Sequence, residues 1–213
     1  MSRPAEVAYQ FIKEKIMEGI YKPSQKLTES ELSEVIGVSR NTVKKALLKL
    51  EQENLVTLEE NKGATITSFT LEEIINYLEI REALEGLIAK TAALNMNNEK
   101  LKQLEETLVK MNDFLSQNKL DDYSKCNHQF HNIIYEASTN QQAVAMVKKI
   151  KTQLQRLQIK TVLVPGRLED SYKEHNKILN ALQAKDGKWA EDAVKFHVSK
   201  VRKTIENNYS FLI

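Results

Sequence analysis

Hydrophobic residues near the N-terminus recur at the three- and four-residue spacing of amphipathic helices. This pattern predicts a first helix over residues 5–19. A second helix is predicted to begin at Thr28, which forms a capping-box pattern with Glu31, and to end at Gly37. Ser39 can cap a third helix, whose inward-facing stripe consists of Val43, Ala46, Leu47 and Leu50.

Two short runs of β-prone residues follow the third helix, at residues 56–58 and 64–67. Because Asn61-Lys62-Gly63 stands between them, they predict a β-hairpin with its tip at Lys62 and Gly63. The tight turn of residues 37–39 gives the second and third helices the layout of a helix-turn-helix. The N-terminal region is therefore predicted to be three helices followed by a small hairpin.

A second capping pattern, at residues 70–73, opens a longer helical region. From there to the C-terminus, about six helical stretches are separated by Asn-rich or Pro/Gly breaks. The sequence predicts a mainly α fold with two domains. Residues 1–69 form the helix-turn-helix domain, and residues 70–213 form an antiparallel bundle of about six helices.

Composition changes this picture little. The chain has 213 residues with only 6 Gly and 3 Pro, which favours long helices over a turn-rich β fold. No apolar run is long enough for a membrane span, the N-terminus lacks a signal-peptide core, and the single cysteine excludes an internal disulfide. We therefore expect a cytoplasmic protein with no membrane partner. The net charge of +2 excludes a generally basic nucleic-acid binder, so any such function must come from local clustering.

Such a cluster lies on the third helix, where residues 40–49 include four basic residues and no acidic one. At 100° per residue, Asn41, Lys44 and Lys45 point away from the apolar stripe, and Arg40 flanks the first turn. A basic helix face led by free backbone amides suits phosphate contact and insertion into the major groove of DNA. A solvated basic face of an ordinary helical domain explains the periodicity equally well.

The sequence of this region favours DNA binding, because it resembles the winged helix-turn-helix of GntR-family bacterial transcription regulators. The resemblance is carried by Ile16-x-x-Gly19-x-Tyr21-x-Pro23, Leu27-x-Glu29-x-Glu31-Leu32, Ile36-Gly37-Val38-Ser39-Arg40-x-x-Val43, Ala46-Leu47-x-x-Leu50, Asn54-Leu55-Val56 and Gly63. It implies DNA contacts from Ser39, Arg40, Asn41, Thr42, Lys44 and Gly63, to which the outward face adds Lys45.

Three positions depart from the family pattern. Ser24 replaces the glycine of a Pro-Gly turn, and Ser30 stands where several relatives have a DNA-contacting arginine. Lys44 replaces an arginine, and lysine cannot make the planar two-point contact of a guanidinium.

Four histidines lie in the second domain. His131 flanks the apolar stripe of a predicted helix, with Asn127 four residues before it, whereas His128 is predicted to face solvent. His175 and His197 occupy apolar positions of two further helices. A buried imidazole needs a partner, and a divalent metal shared by the three inward histidines would satisfy all of them. The alternative is that each is a hydrogen-bonded core residue.

The second domain resembles the FCD domain, the helical effector-binding domain of the FadR-like branch of the GntR family. The residues that carry this resemblance are Arg81-x-x-Leu84-Glu85, Asn127-x-x-Phe130-His131, Tyr135-Glu136-Ala137-Ser138, Asn140, Glu174-His175-x-x-Ile178-Leu179-x-Ala181, Gly187, Ala193 and His197. The resemblance implies a divalent metal (zinc, nickel or another ion) bound by an aspartate and three histidines, and a small carboxylate effector held with it.

The three histidines carry over directly as His131, His175 and His197, but the aspartate position is Asn127. Its amide oxygen is a neutral and weaker ligand than a carboxylate. Arg81 either pairs with the anionic effector or forms a salt bridge with Glu82 or Glu85, and Arg167 is a further candidate for the effector.

The sequence thus predicts a ligand-responsive transcription regulator, a homodimer that reads an inverted repeat in double-stranded DNA and represses until a small organic acid binds. One alternative is a metal-dependent enzyme using the three-histidine site. Its only nearby candidate base, Glu174, is expected to face elsewhere because it is adjacent to His175. Another alternative is a regulator for which the metal itself is the signal.

Overall fold

The computed structural model describes residues 3–59 and 63–212, with the backbone alone described over residues 155–160. These residues fall into two compact units. The first contains the chain up to Thr70 together with Thr152–Arg156, and the second contains Leu71–Lys151 and the chain from Leu157 onwards. The fold is mainly helical, and the helices end close to the breaks that the sequence predicts. None of the described helices combines the length and the apolar character needed to cross a membrane.

The first unit contains three helices and a small sheet. In chain order its elements are α1 (Arg3–Met17), β1 (Lys26–Leu27), α2 (Glu29–Ile36), α3 (Arg40–Gln52), β2 (Val56–Glu59) and β3 (Gly63–Ile66). The sheet is antiparallel with the order β1-β3-β2. The hairpin of β2 and β3 confirms the prediction. Of its expected tip, Gly63 begins β3, whereas Lys62 lies outside the described residues.

Local capping chemistry positions α2 and α3 as predicted. The hydroxyl of Thr28 accepts from the backbone N–H of Glu31, and the Glu31 carboxylate accepts from the N–H of Thr28, so the capping box is complete. Gly37 ends α2 in the left-handed region, with φ of 73°. Ser39 then caps α3 by accepting from the N–H of Thr42.

The core of the first unit lies between the three helices and the sheet. The inward stripe of α3 predicted from the sequence is fully buried in this core, which also contains Ile12, Leu32, Val56 and Ile66, and α3 packs against α1, α2 and β2. This packing fixes the rotation of α3 about its axis, and its polar face is therefore turned to solvent.

The second unit is built from helices α4 (Leu71–Asn95), α5 (Asn98–Ser116), α6 (Leu120–Ala137), α7 (Gln141–Thr161, without Thr152–Arg156), α8 (Arg167–Gln183) and α9 (Gly187–Leu212). Helices α4 and α9 run antiparallel: Glu79 near the start of α4 pairs with Arg202, and Lys90 further along pairs with Glu191. One apolar core joins α4 to α9, and three histidines are buried next to it.

Candidate DNA interface and metal centre

The exposed face of α3 carries the residues predicted to contact DNA. Arg40, Asn41, Lys44 and Lys45 are exposed, and Thr42 is half-buried. Within the described part of the chain, neither Lys44 nor Lys45 is ion-paired, whereas Lys49, one turn beyond Lys45, pairs with Glu6. A basic face free of carboxylates can exchange its counterions for phosphates without first breaking ion pairs.

Arg40 is held by the preceding helix. Its Nη2 donates a hydrogen bond to the hydroxyl of Ser30 over 2.8 Å. Ser30 lies on α2, so this bond links the two helices of the helix-turn-helix and fixes one side of the guanidinium. The other side stays available for a base edge or a phosphate.

Gly63, predicted as a DNA contact, is also required by packing. Its φ is +91°, and a Cβ at this position would lie 2.3 Å from the carbonyl oxygen of Leu27. Glycine therefore permits the close pairing of β1 with β3. Ser24, one of the three departures from the family pattern, has a left-handed φ of 62°, which explains why glycine suits this turn.

In the second unit, His131 from α6, His175 from α8 and His197 from α9 converge in the core. All three are buried, and one ligand nitrogen from each lies within 4.8 Å of the others. The Nε2 atoms of His131 and His175 are 3.3 Å apart. Two histidine nitrogens on a tetrahedral zinc ion lie about 3.3–3.4 Å apart, given bonds of about 2.0–2.1 Å. The spacing therefore fits a divalent metal.

Hydrogen bonds outside this cluster determine which ring nitrogens are free to bind a metal. Nδ1 of His175 donates to the backbone carbonyl of Ser171 over 2.6 Å, and Nδ1 of His197 donates to Oε2 of Glu174 over 2.7 Å. Since a carbonyl and a carboxylate only accept, both Nδ1 atoms carry a proton, and each neutral ring keeps its Nε2 lone pair. Nδ1 of His131 lies 3.6 Å from Oε2 of Glu85.

The imidazoles are neutral at physiological pH. Burial lowers the pKa of His175 and of His197 to about 3, and it holds the pKa of His131 well below its usual range. Nearby cations act in the same direction, Lys151 on His131 and Arg167 on His197. Neutral rings are the form that binds metals.

A cavity of about 60 Å³ opens beside the histidines. Asn127, at the position of the family's aspartate, lines it, and its Oδ1 is buried without a hydrogen-bond partner. An orphaned buried acceptor is uncommon in proteins and indicates an absent donor or cation. The structure thus brings Asn127 to the same cavity as His131 and His197.

Arg81, predicted either to contact the effector or to form a salt bridge, forms the salt bridge and keeps one guanidinium nitrogen without a partner among the described residues. Its Nε pairs with Oε1 of Glu85, while its Nη1 is buried without a partner and the residue lines the cavity. Burial opposes the charge of Glu85, but Arg81 and Lys151 hold the pKa of this carboxyl below its usual value. The pair therefore stays ionised, with one guanidinium nitrogen available to an anion.

Arg167 also lines the cavity, but its terminal nitrogens are already in use. They donate to the two carboxylate oxygens of Glu174 over 3.2 and 2.8 Å. The expectation that Glu174 faces away from the histidines was wrong, since its Oε2 binds His197. Glu174 and His175 are adjacent on α8 but contribute differently. The imidazole of His175 is part of the histidine cluster, whereas the carboxylate of Glu174 contacts it by accepting a hydrogen bond from His197.

Two basic residues of the cavity lining, His128 and Lys151, were not predicted from the sequence. His128 was expected in solvent, but it is half-buried and lines the cavity beside Asn127; burial lowers its pKa to about 4. Lys151 of α7 lines the same cavity, with Nζ 3.3 Å from the Tyr135 hydroxyl. No motif marks Lys151, because α7 contains several lysines and only tertiary packing distinguishes this one.

Comparisons with known proteins agree with both halves of this description. Residues 4–66 match the family model described as "Bacterial regulatory proteins, gntR family", and residues 76–200 match the model of the FCD domain. The transcriptional repressor RspR of Escherichia coli is 24% identical over 197 residues, which cover 92% of this chain and 86% of that protein. The Uxu operon regulator of Haemophilus influenzae is 31% identical over 215 residues, covering 91% of this chain and 78% of that protein.

The solved structure of Escherichia coli McbR/YncC has the same fold. It superposes with a TM-score of 0.80 at 20% identity and covers 98% of this chain and 100% of that one. The fold class predicted from the sequence is confirmed.

Proposed function

Since the chain belongs to the GntR family of bacterial regulatory proteins and carries an FCD domain, it is a transcription regulator rather than an enzyme, and we propose that it is a repressor released by a small carboxylate effector. The effector would bind with a divalent metal in the helical domain. The observation that carries this proposal is the convergence of three neutral imidazoles beside one cavity, with the Nε2 lone pairs of His175 and His197 fixed by their partners.

We assign DNA contact to the exposed start of α3 and to the hairpin. Arg40 and Asn41 are placed to read base edges, and Lys44 and Lys45 to neutralise phosphates. Ser39 and Thr42 would contact a phosphate at the start of α3 through their hydroxyl groups, which share a hydrogen bond of 2.8 Å. Gly63 lets the hairpin backbone approach the duplex. The chain would act in the cytoplasm, where the chromosome is.

The metal ligands would be His131, His175, His197 and Asn127, with zinc as the first candidate and nickel or another divalent ion as the alternatives. When bound, the metal supplies positive charge that attracts a carboxylate. The chain's own residues orient the rings: Ser171 fixes His175, and Glu174, itself held by Arg167, fixes His197. Arg81 would donate to the effector from its free Nη1.

We further propose a homodimer that reads an inverted repeat, because one small module makes too few contacts for specific affinity. An exposed apolar stripe on α4 supports contact with a second copy. Ile80, Leu87 and Leu94 recur every seven residues and are 51%, 38% and 66% exposed. On the adjacent helix α9, Trp189 and Phe196 are each 45% exposed at the same spacing.

Effector and DNA affinities would be reciprocally coupled, so the effector weakens operator binding as much as DNA weakens effector binding. The name of RspR, a repressor, supports this sign of control. Selection of fragments of the organism's own genome, with and without its metabolites and at two salt concentrations, tests the proposal. Metal analysis and mass spectrometry of co-purified ligands complete it, and sedimentation gives the oligomeric state.

The proposal requires that the protein bind some genome fragments more tightly than others, with an affinity that falls as salt rises. It also requires that one metabolite weaken this binding in metal-loaded protein. Operator binding that changes with metal alone would make the metal the signal. Protein that shows no fragment preference under any of these conditions would contradict the proposal.

A further inference from the structure

Lys151 is a half-buried cation that forms no ion pair with any described residue. Its ammonium lies 3.3 Å from the hydroxyl oxygen of Tyr135 and 5.2 Å from the centroid of that ring. Within the described part of the chain, no carboxylate oxygen lies within 4 Å of it. A desolvated ammonium with only a neutral acceptor is unfavourable unless an anion completes its surroundings.

The nearest carboxylate is already used. Glu85 pairs with Arg81 through Oε1, and its Oε2 accepts a hydrogen bond of 2.8 Å from the Tyr135 hydroxyl. Tyr135 therefore offers only its oxygen to Lys151. Counting the ionised groups of the cavity and its immediate partners gives three cations and two carboxylates; they are Arg81, Lys151 and Arg167 against Glu85 and Glu174.

Two hydrogen-bond donors thus line the same cavity without an anionic acceptor, the Lys151 ammonium and Arg81 Nη1. They lie on the Nδ1 side of His131. Arg81 pairs with Glu85 and Tyr135 joins Lys151 to that carboxylate, whose Oε2 is 3.6 Å from Nδ1 of His131, whereas it is Nε2 of His131 that faces His175. A ligand that reaches both places needs an anionic group at each end. The cavity volume of about 60 Å³ favours a short chain between them.

We infer that the effector is a short dicarboxylate, and that Lys151, with Arg81, binds the carboxylate that lies away from the histidines. This inference rests on the proposed function and adds the class of effector and the residue that selects it. Lys151 is a specificity-determining residue, because a monocarboxylate held at the histidines leaves its ammonium without a counterion.

Calorimetric titration of zinc-loaded full-length protein tests this inference. Malonate, succinate and glutarate are compared with propionate, butyrate and pentanoate, which match them in chain length. The wild-type protein is expected to bind one dicarboxylate about ten- to hundredfold more tightly than its monocarboxylate, the range for a hydrogen bond to a charged group. Lys151→Met should abolish this preference, and Lys151→Arg should restore it. The control Lys149→Met removes an exposed lysine of the same helix and should leave the preference intact.

Zinc content and thermal unfolding, measured on every variant, separate a lost contact from a lost fold. Equal wild-type affinities for the two series, or an unchanged preference in folded Lys151→Met, would overturn the inference. Failure of the proposed function is distinguishable, because it would be a protein that loads no metal or whose operator binding responds to no metabolite.

Discussion

Glu174 accepts a hydrogen bond from Nδ1 of His197 over 2.7 Å while Arg167 holds the same carboxylate through both of its oxygens. This relationship makes Glu174 a positioning residue for the proposed metal centre. It fixes the proton of His197 on Nδ1 and directs the Nε2 lone pair into the cluster.

We expect Glu174→Gln to lower zinc affinity by about ten- to hundredfold, because the amide can present a donor to Nδ1 and so favour the wrong tautomer. Competition with a chromophoric chelator measures this affinity. Glu169→Gln, an exposed position on the same helix, is the control and should bind zinc as the wild type does. Equal affinity in the two variants would remove Glu174 from the centre.

Asn127→Asp should bind zinc more tightly than the wild type, by on the order of tenfold, because a carboxylate adds a negative charge where an orphaned amide oxygen now lies. The same chelator competition measures the gain. Asn132→Asp adds the same charge at an exposed position of α6 and should change little. If neither substitution alters zinc affinity, Asn127 is not a ligand.

Arg40→Ala should weaken operator binding by about 1–3 kcal/mol if Arg40 reads a guanine. A loss of equal size on operator and random DNA would instead assign Arg40 to a phosphate. In that case the slope of log affinity against log salt concentration, the salt slope, should fall in magnitude by about one. Fluorescence anisotropy at several salt concentrations distinguishes these cases. Ser30→Ala keeps the charge of Arg40 and should change base preference without changing the salt slope. Lys15→Ala, a control on α1, should leave both unchanged.

Gly63→Ala should destabilise the first unit by about 1–3 kcal/mol and weaken operator binding, since the new Cβ meets the carbonyl oxygen of Leu27. Urea unfolding measures the stability change. Gly19→Ala is a matched control: its φ of +74° is equally unfavourable for alanine, but no atom lies within 4 Å of the new Cβ. Gly63→Ala should therefore lower the free energy of unfolding more than Gly19→Ala does. Equal decreases in the two variants would refute the role of the close approach to Leu27.

Dicarboxylate binding should weaken as the pH rises through about 8. Burial, together with Arg81, lowers the pKa of Lys151 to about 8 against the opposing effect of Glu85, so the ammonium that binds the anion is lost above that pH. A bound divalent ion would move the change to lower pH without removing it. Lys151→Arg should bind equally well from pH 7 to 9, because its guanidinium stays protonated.

The groups that face Lys151 do not titrate in this range. Glu85 and the neighbouring histidines, His128 and His131, have lowered pKa values, Tyr135 has a pKa well above its usual value, and Arg81 stays charged. Calorimetry across the range measures the affinity. A wild-type affinity that stays constant to pH 9 would contradict the role of the Lys151 charge.

Features encoded locally were predicted well from the sequence. Thr28 with Glu31, Gly37 and Ser39 set the ends of α2 and α3 through contacts within a few residues, so their spacing is enough. The two-residue strand β1 was missed because it exists only through pairing with β3, and no local pattern marks it.

The cavity was predicted only in part, because it depends on how separate helices are rotated against each other. Helical periodicity correctly predicted that His131, His175 and His197 face inward. It also placed His128 in solvent and Glu174 away from the cluster, since it describes each helix alone and takes no account of side-chain length or of a polar interior. Lys151 belongs to a helix far along the chain from Arg81, and only the packed bundle brings them to one cavity.

The bond between Ser30 and Arg40 bears on how operator choice can diverge among related proteins. A substitution at residue 30 can redirect the arginine while every side chain on α3 stays the same. Two regulators with identical α3 sequences can therefore prefer different promoters, and grouping such proteins by α3 alone would merge separate regulons.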